Sequence, residues 1–105
     1  MQGNSVNFYM YELQKHDGLP LYEWLLEQAR KRGVCRCVVT RGMAGFDQYG
    51  KIHEEHFFEL APDVPVMVFM VDEKARMNSF LQDLQKRKVS VFYTVASLEY
   101  GITAN

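Results

Sequence analysis

The amino-acid sequence predicts an α+β domain in which two helices cover one face of an antiparallel sheet. Three observations support this class. Four segments are dense in β-branched and aromatic residues, which favours strands. Two other segments place apolar residues at helical spacing. The six segments follow one another as strand, helix, strand, strand, helix and strand, which is the order of the ferredoxin-like βαββαβ sandwich.

The first half of the domain is predicted to contain a strand, a helix and a second strand. Residues 6–13 (VNFYMYEL) form the first strand, and a turn follows at residues 15–18. The first helix covers residues 21–32, because cations occupy its last turn and Gly33 follows, as is usual at a helix C-terminus. Residues 34–41 (VCRCVVTR) form the second strand.

A glycine-rich loop with an extra short strand is predicted after the second strand. Residues 42–50 contain three glycines, a composition that permits unusual backbone conformations. Residues 52–60 are extended in character but mixed in polarity, which favours a short strand. A turn is expected at residues 61–63, where a proline precedes an aspartate.

The second half of the domain is predicted to end in a strand, a helix and a strand. Residues 65–71 (PVMVFMV) form the third main strand. Asp72 is the predicted N-cap of the second helix, which continues to Lys88. Residues 89–95 (VSVFYTV) form the last strand.

Three of the predicted strands, at residues 6–13, 65–71 and 89–95, place apolar side chains on both faces. The strand at residues 65–71 is apolar throughout, and the strand at residues 6–13 places large apolar side chains on both sides. A strand that is apolar on both faces is usually buried on both. Helices cover only one face of the predicted sheet, so we expect the open face to be buried in a homo-oligomer.

Length and composition are those of one small globular domain over residues 1–105. The chain is 48% apolar and 24% charged, and its net charge is −1. These values argue against a disordered chain and against nucleic-acid binding through bulk positive charge. No apolar stretch approaches the roughly 20 residues that span a bilayer. The polar N-terminus does not resemble a signal peptide, so we expect a cytoplasmic domain, with flexible tails at residues 1–5 and 97–105.

Four segments form an ordered set of motifs. They read GLPLYE at residues 18–23, TRGMAGF at 40–46, GKIH at 50–53 and LAPDVPVMVFMVD at 60–72. Over about residues 8–95 the chain resembles the uncharacterised DUF190 family, which belongs to the PII-like (GlnB-like) superfamily and is related to CutA. The resemblance implies a ferredoxin-like subunit that forms a homotrimer with the three sheets facing inward.

The resemblance also implies a non-enzymatic signalling protein. PII-like proteins bind small ligands, often adenine nucleotides, in clefts between subunits, and a long loop after the second strand docks on a transporter or an enzyme. Some relatives of this family occur beside, or fused to, membrane proteins that resemble fluoride channels. For this chain the resemblance implies a small anionic ligand or adenine nucleotide, and a partner, such as a membrane transport protein, at the loop of residues 42–63. No resident cofactor and no nucleic-acid partner are expected.

The candidate ligand-binding residues lie at the base of that loop and after the second helix. A guanidinium offers a planar fork to phosphate or carboxylate, and glycines let a backbone approach a ligand. The cations after the second helix could bind an anion or simply complement the helix dipole. PII proteins hold phosphates with a glycine-rich turn here, whereas residues 86–90 contain no glycine. The candidates are Arg41, Gly42, Gly45, Phe46, His53, Lys86, Arg87 and Lys88.

Metal binding is the main alternative function. Cys35 and Cys37 share a face of the predicted strand and could hold a metal with His53, as in a metal-binding stress protein of CutA type. The other interpretation is two reduced thiols packed as small apolar residues. A small enzyme on the same sandwich would use His16 and Asp17, but the sequence supplies no nucleophile or substrate group beside them.

Overall fold

The computed structural model describes residues 1–54 and 63–104. In these residues two helices lie on one face of a four-stranded antiparallel sheet, which confirms the predicted α+β sandwich. The elements are β1 (Gln2–Tyr11), β2 (Lys15–His16), β3 (Leu19–Pro20), α1 (Leu21–Lys31), β4 (Arg36–Arg41), β5 (Ala44–Phe46), β6 (Ile52–Glu54), β7 (Pro65–Asp72), α2 (Lys74–Lys86) and β8 (Phe92–Glu99).

The main sheet has the strand order β4-β7-β1-β8, which is that of the ferredoxin-like sandwich. The register places Phe8 opposite both Val68 and Tyr93, and Val39 opposite Val68 on the other side of β7. Two small hairpins, β2–β3 and β5–β6, form separate two-stranded sheets. Neither helix in the described part of the chain is long and apolar enough to cross a lipid bilayer.

The core lies between the helices and the sheet. Alternate residues of β1 and β7 face it, and Phe8 packs against Phe80 with ring centroids 6.0 Å apart. Burying one large apolar side chain stabilises the fold by about 1.5–3 kcal/mol, so this layer dominates stability. Its central members are Val6, Phe8, Met10, Leu21, Leu25, Ala29, Val66, Val68, Met70, Met77, Phe80 and Leu84.

The opposite face of the sheet is open and largely apolar, as the strand pattern predicted. Val38 and Phe69 lie opposite each other there, and so do Tyr9 and Phe92. Phe92 is 63% exposed and Val38 is 44% exposed. On the same face the Oδ1 atom of Asn7 is buried and finds no hydrogen-bond partner among the described residues.

The predicted tails differ from the structure at both ends of the chain. Residues 2–5 and 97–99 belong to β1 and β8, where Gln2 lies opposite Glu99 and Ser5 lies opposite Ala96. The Met1 ammonium also donates to the Tyr100 carbonyl oxygen at 2.8 Å. Because a strand pairing satisfies the backbone groups of both segments at once, the sheet continues past the limits that the apolar pattern suggested.

The ends of α2 also differ from the prediction. The helix has Glu73 rather than Asp72 at its N-cap and ends at Lys86. Asp72 still contributes a hydrogen bond at the start of the helix, because its Oδ1 accepts from Glu73 N at 2.7 Å. At the other end Lys88 has a positive φ of 57°, and Val89 N donates to Leu84 O. This helix-terminating turn delays β8 to Phe92.

Two further differences come from turns. The predicted turn at residues 15–18 is a hairpin, in which Asp17 and Gly18 take φ values of 52° and 78°, as a tight two-residue hairpin loop requires. The strand β4 begins at Arg36 rather than at residue 34, because Val34 N still donates to Ala29 O at the end of α1. The predicted short strand at residues 52–60 is confirmed for Ile52–Glu54; the rest of it lies outside the described residues.

Candidate functional site

The β5–β6 hairpin lies directly against Pro65 at the start of β7. Gly42 N donates to the Pro65 carbonyl oxygen at 2.7 Å. A β-carbon at Gly42 or Gly45 would come within 3.1 or 3.2 Å of the Pro65 ring. The two glycines of the RG-x-x-GF motif are therefore explained by close backbone approach, which brings the hairpin beside the sheet.

His53 connects β6, the second strand of this hairpin, to the end of β1. Its ring stacks on Tyr11 with centroids 3.8 Å apart, and its Nδ1 donates to the Asp63 carbonyl oxygen at 3.2 Å. The Asp63 carboxylate lies 3.9 Å from the same nitrogen and accepts a hydrogen bond from Leu13 N at 3.0 Å. His53 thus has a positioning role beside the site.

Arg41 forms an ion pair at the base of the hairpin. Its Nε donates to Glu12 Oε2 at 2.9 Å, and both side chains are partly exposed. The contact joins the end of β4 to the residue that follows β1. A partly exposed pair of this kind contributes about 0.2–1 kcal/mol to stability.

A cleft of about 810 Å³ lies between the hairpin, the end of β1 and the start of β8. This volume is within the range of small-molecule sites in proteins. The wall on the sheet side consists of residues 9–11, Gln14, Pro65 and residues 90–92, and the hairpin side consists of residues 44–49.

Aromatic rings dominate the lining of the cleft. Tyr9 and Phe92 are in edge-to-face contact, with centroids 5.7 Å apart. The other lining rings are Tyr11, Phe46 and Tyr49. Such rings offer flat apolar surfaces on which a planar ligand can stack.

A few polar groups lie among these rings. Gln14 Nε2 donates to the Ser90 carbonyl oxygen at 3.3 Å. Burial is the main cause that raises the pKa of the Tyr11 phenol, and its hydrogen bond to the Asp47 carboxylate raises that pKa further. Asp47 also accepts a hydrogen bond from Tyr49 N at 2.9 Å, which shapes the hairpin turn.

The structure places the predicted ligand-binding residues in three positions, which are the cleft lining, the contacts that hold the hairpin, and the end of α2. Gly45 and Phe46 line the cleft. Gly42, Arg41 and His53 lie behind it, where they hold the hairpin.

The predicted residues that follow α2 do not line the cleft. Arg87 Nε lies 3.1 Å from Asp83 Oδ2, and its guanidinium carbon lies 5.9 Å from the centre of the Trp24 ring. Lys86 ends α2, and Lys88 makes the turn after it. After α2, the first residue that lines the cleft is Ser90.

The three residues of the metal alternative do not come together. Cys37 lies opposite Met70, whereas His53 lies at the other end of β7, near Pro65. Five residues of β-strand separate these ends, roughly 17 Å. No cluster of His, Cys, Asp and Glu within residues 1–54 and 63–104 has a geometry that could hold a metal ion. Burial raises the pKa of the Cys37 thiol, which disfavours the thiolate that a metal requires.

His16 and Asp17 lie in the β2–β3 hairpin. His16 Nε2 is 3.5 Å from Asp17 Oδ2, and the imidazole packs edge-on against Trp24 with centroids 4.4 Å apart. The imidazole therefore packs on the first helix, and neither residue lines the cleft.

Sequence reasoning missed most of the cleft-lining residues. Asp47 and Tyr49 lie inside the predicted loop and could have been included on that ground. Gln14, Ser90 and Phe92 come together only through the pairing of β1 with β8, and a single sequence carries no signal for that register.

Comparison with curated proteins finds sequence relatives in a bacterium and an archaeon. A UPF0166 protein from Aquifex aeolicus is 30% identical over 80 residues, which are 76% of this chain and 76% of that protein. A UPF0166 protein from Methanocaldococcus jannaschii is 24% identical over 84 residues, which are 80% of this chain and 77% of the relative.

Solved structures share the fold at low sequence identity. The PII-like nitrogen regulatory protein CPII from Thiomonas intermedia K12, bound to ADP, AMP and bicarbonate, has a TM-score of 0.70 at 14% identity, and the match covers 97% of this chain and 91% of that chain. A proposed PII-like signaling protein from Thermus thermophilus has a TM-score of 0.64 at 15% identity, with 92% of this chain and 87% of that chain covered. At these identities the likeness shows a common fold.

The family assignment comes from the sequence itself. The family model DUF190, described as Uncharacterized ACR, COG1993, matches residues 3–99. That range includes every strand pairing of the main sheet except the contact at Gln2. The motifs that pack the hairpin on Pro65 and Tyr11 lie inside it, and the chain belongs to the DUF190 family.

Proposed function

We propose that this chain is a non-enzymatic, PII-like regulatory protein that binds an adenine nucleotide, or a small anion such as bicarbonate, in the aromatic cleft. The observation that carries the proposal is the cleft itself, because a separate hairpin and the end of the main sheet form its two walls. Support also comes from the neighbour CPII, whose structure is described as bound to ADP, AMP and bicarbonate.

The proposal includes a homotrimer in which the open sheet faces meet. Tyr9 and Phe92 belong both to the open sheet face and to the cleft lining, so a neighbouring subunit on that face would border the cleft. Asn7 Oδ1 has no hydrogen-bond partner within residues 1–54 and 63–104. This also favours a neighbouring subunit there, since a buried polar atom without a hydrogen bond costs about 1–3 kcal/mol.

We propose that the β5–β6 hairpin contacts a partner protein and that ligand binding in the cleft changes this contact. Phe46 and Ile52 lie opposite each other in it, and both are largely exposed. Met43 and Tyr49 are each 83% exposed. A ligand beneath Phe46 would bias the position of this apolar surface, and with it the contact of residues 42–63 with a partner such as a membrane transport protein.

Calorimetric titration with ADP and AMP tests ligand binding. We expect Tyr49→Ala to weaken nucleotide binding by a factor of about 5 to 150, because stacking a base on an aromatic ring contributes about 1–3 kcal/mol. Met43→Ala is the matched control, since Met43 has the same exposure in the same loop but does not line the cleft. Absence of binding by the unsubstituted protein, or an equal loss in both variants, would contradict the proposal.

A further inference from the structure

We infer that the cleft holds its ligand through the base and the ribose, and that phosphate groups add little to affinity there. This inference rests on the proposed function and narrows it to a chemical class, the nucleoside. Its starting point is the charge of the cleft. None of the lining residues in the described part of the chain is a lysine, arginine or histidine, and Asp47 is an acid among them.

The apolar surface of the cleft suits a base. Tyr49 and Phe46 come from the hairpin, whereas Tyr9 and Phe92 come from the sheet. A planar heterocycle between these walls would contact rings from both sides. Stacking of this kind needs no charge on the ligand.

The polar groups suit the edges of a nucleoside. The hydrogen bond from Gln14 Nε2 to the Ser90 carbonyl oxygen fixes the plane of the carboxamide at the cleft wall. Carboxamides recognise the edge of adenine through paired hydrogen bonds. The Asp47 carboxylate accepts a hydrogen bond from Tyr49 N and lies near enough to the Tyr11 phenol to raise its pKa. Carboxylates accept hydrogen bonds from ribose hydroxyls in other nucleotide sites.

None of the cations expected to bind phosphate lines the cleft, and two of them form ion pairs outside it. Arg41 pairs with Glu12, and Arg87 pairs with Asp83 beside Trp24. Residues 86–90 lack the glycines that let backbone N–H groups surround a phosphate. A phosphate in the cleft would therefore meet the Asp47 carboxylate without a lining cation from the described residues to offset the repulsion.

Calorimetric titrations of the full chain with adenosine, AMP, ADP and ATP test this inference at two salt concentrations, about 50 and 300 mM NaCl. We expect ATP to bind no more tightly than adenosine and at most about tenfold more weakly, because both present the same nucleoside and only ATP brings phosphates near the Asp47 carboxylate. We also expect the Kd of adenosine to change by less than about twofold with salt. The affinity for ATP should not fall with salt, because salt screens the repulsion from Asp47 and no lining cation from the described residues offers an attraction to screen.

Asp47→Asn supplies a charge-specific readout. Asparagine keeps a side-chain oxygen for the hydrogen bond to Tyr49 N but removes the negative charge. We expect this variant to bind ATP about three- to tenfold more tightly relative to adenosine, because the repulsion is gone. Asp17→Asn, in the other hairpin, is the matched control and should leave that ratio unchanged.

The outcomes separate this inference from the proposed function. ATP binding more than about 30-fold tighter than adenosine binding, with affinity that falls steeply with salt, would overturn the inference and leave the nucleotide-binding function standing. The same holds if Lys86→Gln and Lys88→Gln together abolish binding. If adenosine and all three nucleotides fail to bind, the proposed function is contradicted as well.

Discussion

At the scale of single residues, the site is positioned by side chains that do not line it. Gly42 and Gly45 have no β-carbon, which lets the hairpin backbone lie against Pro65. His53 joins the hairpin to Tyr11 by stacking and to the Asp63 carbonyl oxygen by a hydrogen bond. These contacts fix where the aromatic lining of the hairpin stands relative to the sheet.

Removal of the His53 ring should release the hairpin without unfolding the domain. In His53→Ala the stacking and the hydrogen bond are lost, but the core between helices and sheet is untouched. We expect hydrogen exchange at Ala44–Phe46 and Ile52–Glu54 to speed up by about tenfold, which corresponds to about 1.4 kcal/mol of local opening free energy. Global stability should change by less than about 1 kcal/mol.

His16→Ala is the matched control for this experiment. Like His53, His16 lies in a two-stranded hairpin and packs its ring on an aromatic side chain, in this case Trp24 of α1. Exchange at the β5–β6 hairpin should be unchanged in this variant. Equal protection in the wild type and His53→Ala would show that His53 does not hold the hairpin.

At the scale of elements, the site depends on where β8 begins. In the turn after α2, Lys88 has a positive φ and Val89 N donates a hydrogen bond to the Leu84 carbonyl oxygen. Residues 90–92 therefore border the cleft at the point where the chain enters the sheet. The cleft is a consequence of two connections, the turn after α2 and the loop after β4, that reach the same end of the sheet.

The elements that the sequence predicted best are those with strong periodicity. The two-sided apolar pattern of residues 65–71 is confirmed in β7, and the helical spacing around Met77 and Phe80 is confirmed in α2. The limits of β1 and β8 differ because backbone pairing, rather than side-chain pattern, decides where they end. The same pairing brings Gln14 to Ser90, so the sheet side of the cleft could not be predicted before the register was known.

The functional predictions divide in a similar way. Gly45 and Phe46 follow from the motif and line the cleft. The cations at residues 86–88 are candidates because of their charge, and charge does not tell which way a helix end faces. Metal binding by Cys35 and Cys37 stays a prediction, and the distance between Cys37 and His53 along β7 gives it no support.

At the scale of the whole molecule, the sheet face opposite the helices has no cover among the described residues. It carries Val38, Phe69, Tyr9 and Phe92 in paired positions. Exposed apolar surface of this kind usually marks an interface. The same face borders the cleft, so assembly and ligand binding are expected to depend on each other.

Light scattering tests the assembly. Three copies of a 12.3 kDa chain give a trimer of about 37 kDa. We expect Val38→Glu to reduce this mass to that of one chain, because a buried carboxylate without a partner opposes association. Leu26→Glu is the matched control: Leu26 is 41% exposed and Val38 is 44% exposed, but Leu26 lies on α1, on the other side of the sheet. A monomeric wild type, or a trimeric Val38→Glu, would contradict the trimer.

The most direct test of the central claim is a crystal structure of the full chain grown with AMP. We expect the adenine ring in the cleft, stacked on Tyr49 or Phe46 and close to Gln14, with the open sheet faces of three subunits in contact. AMP bound away from this cleft, or an empty cleft at saturating AMP, would contradict the account.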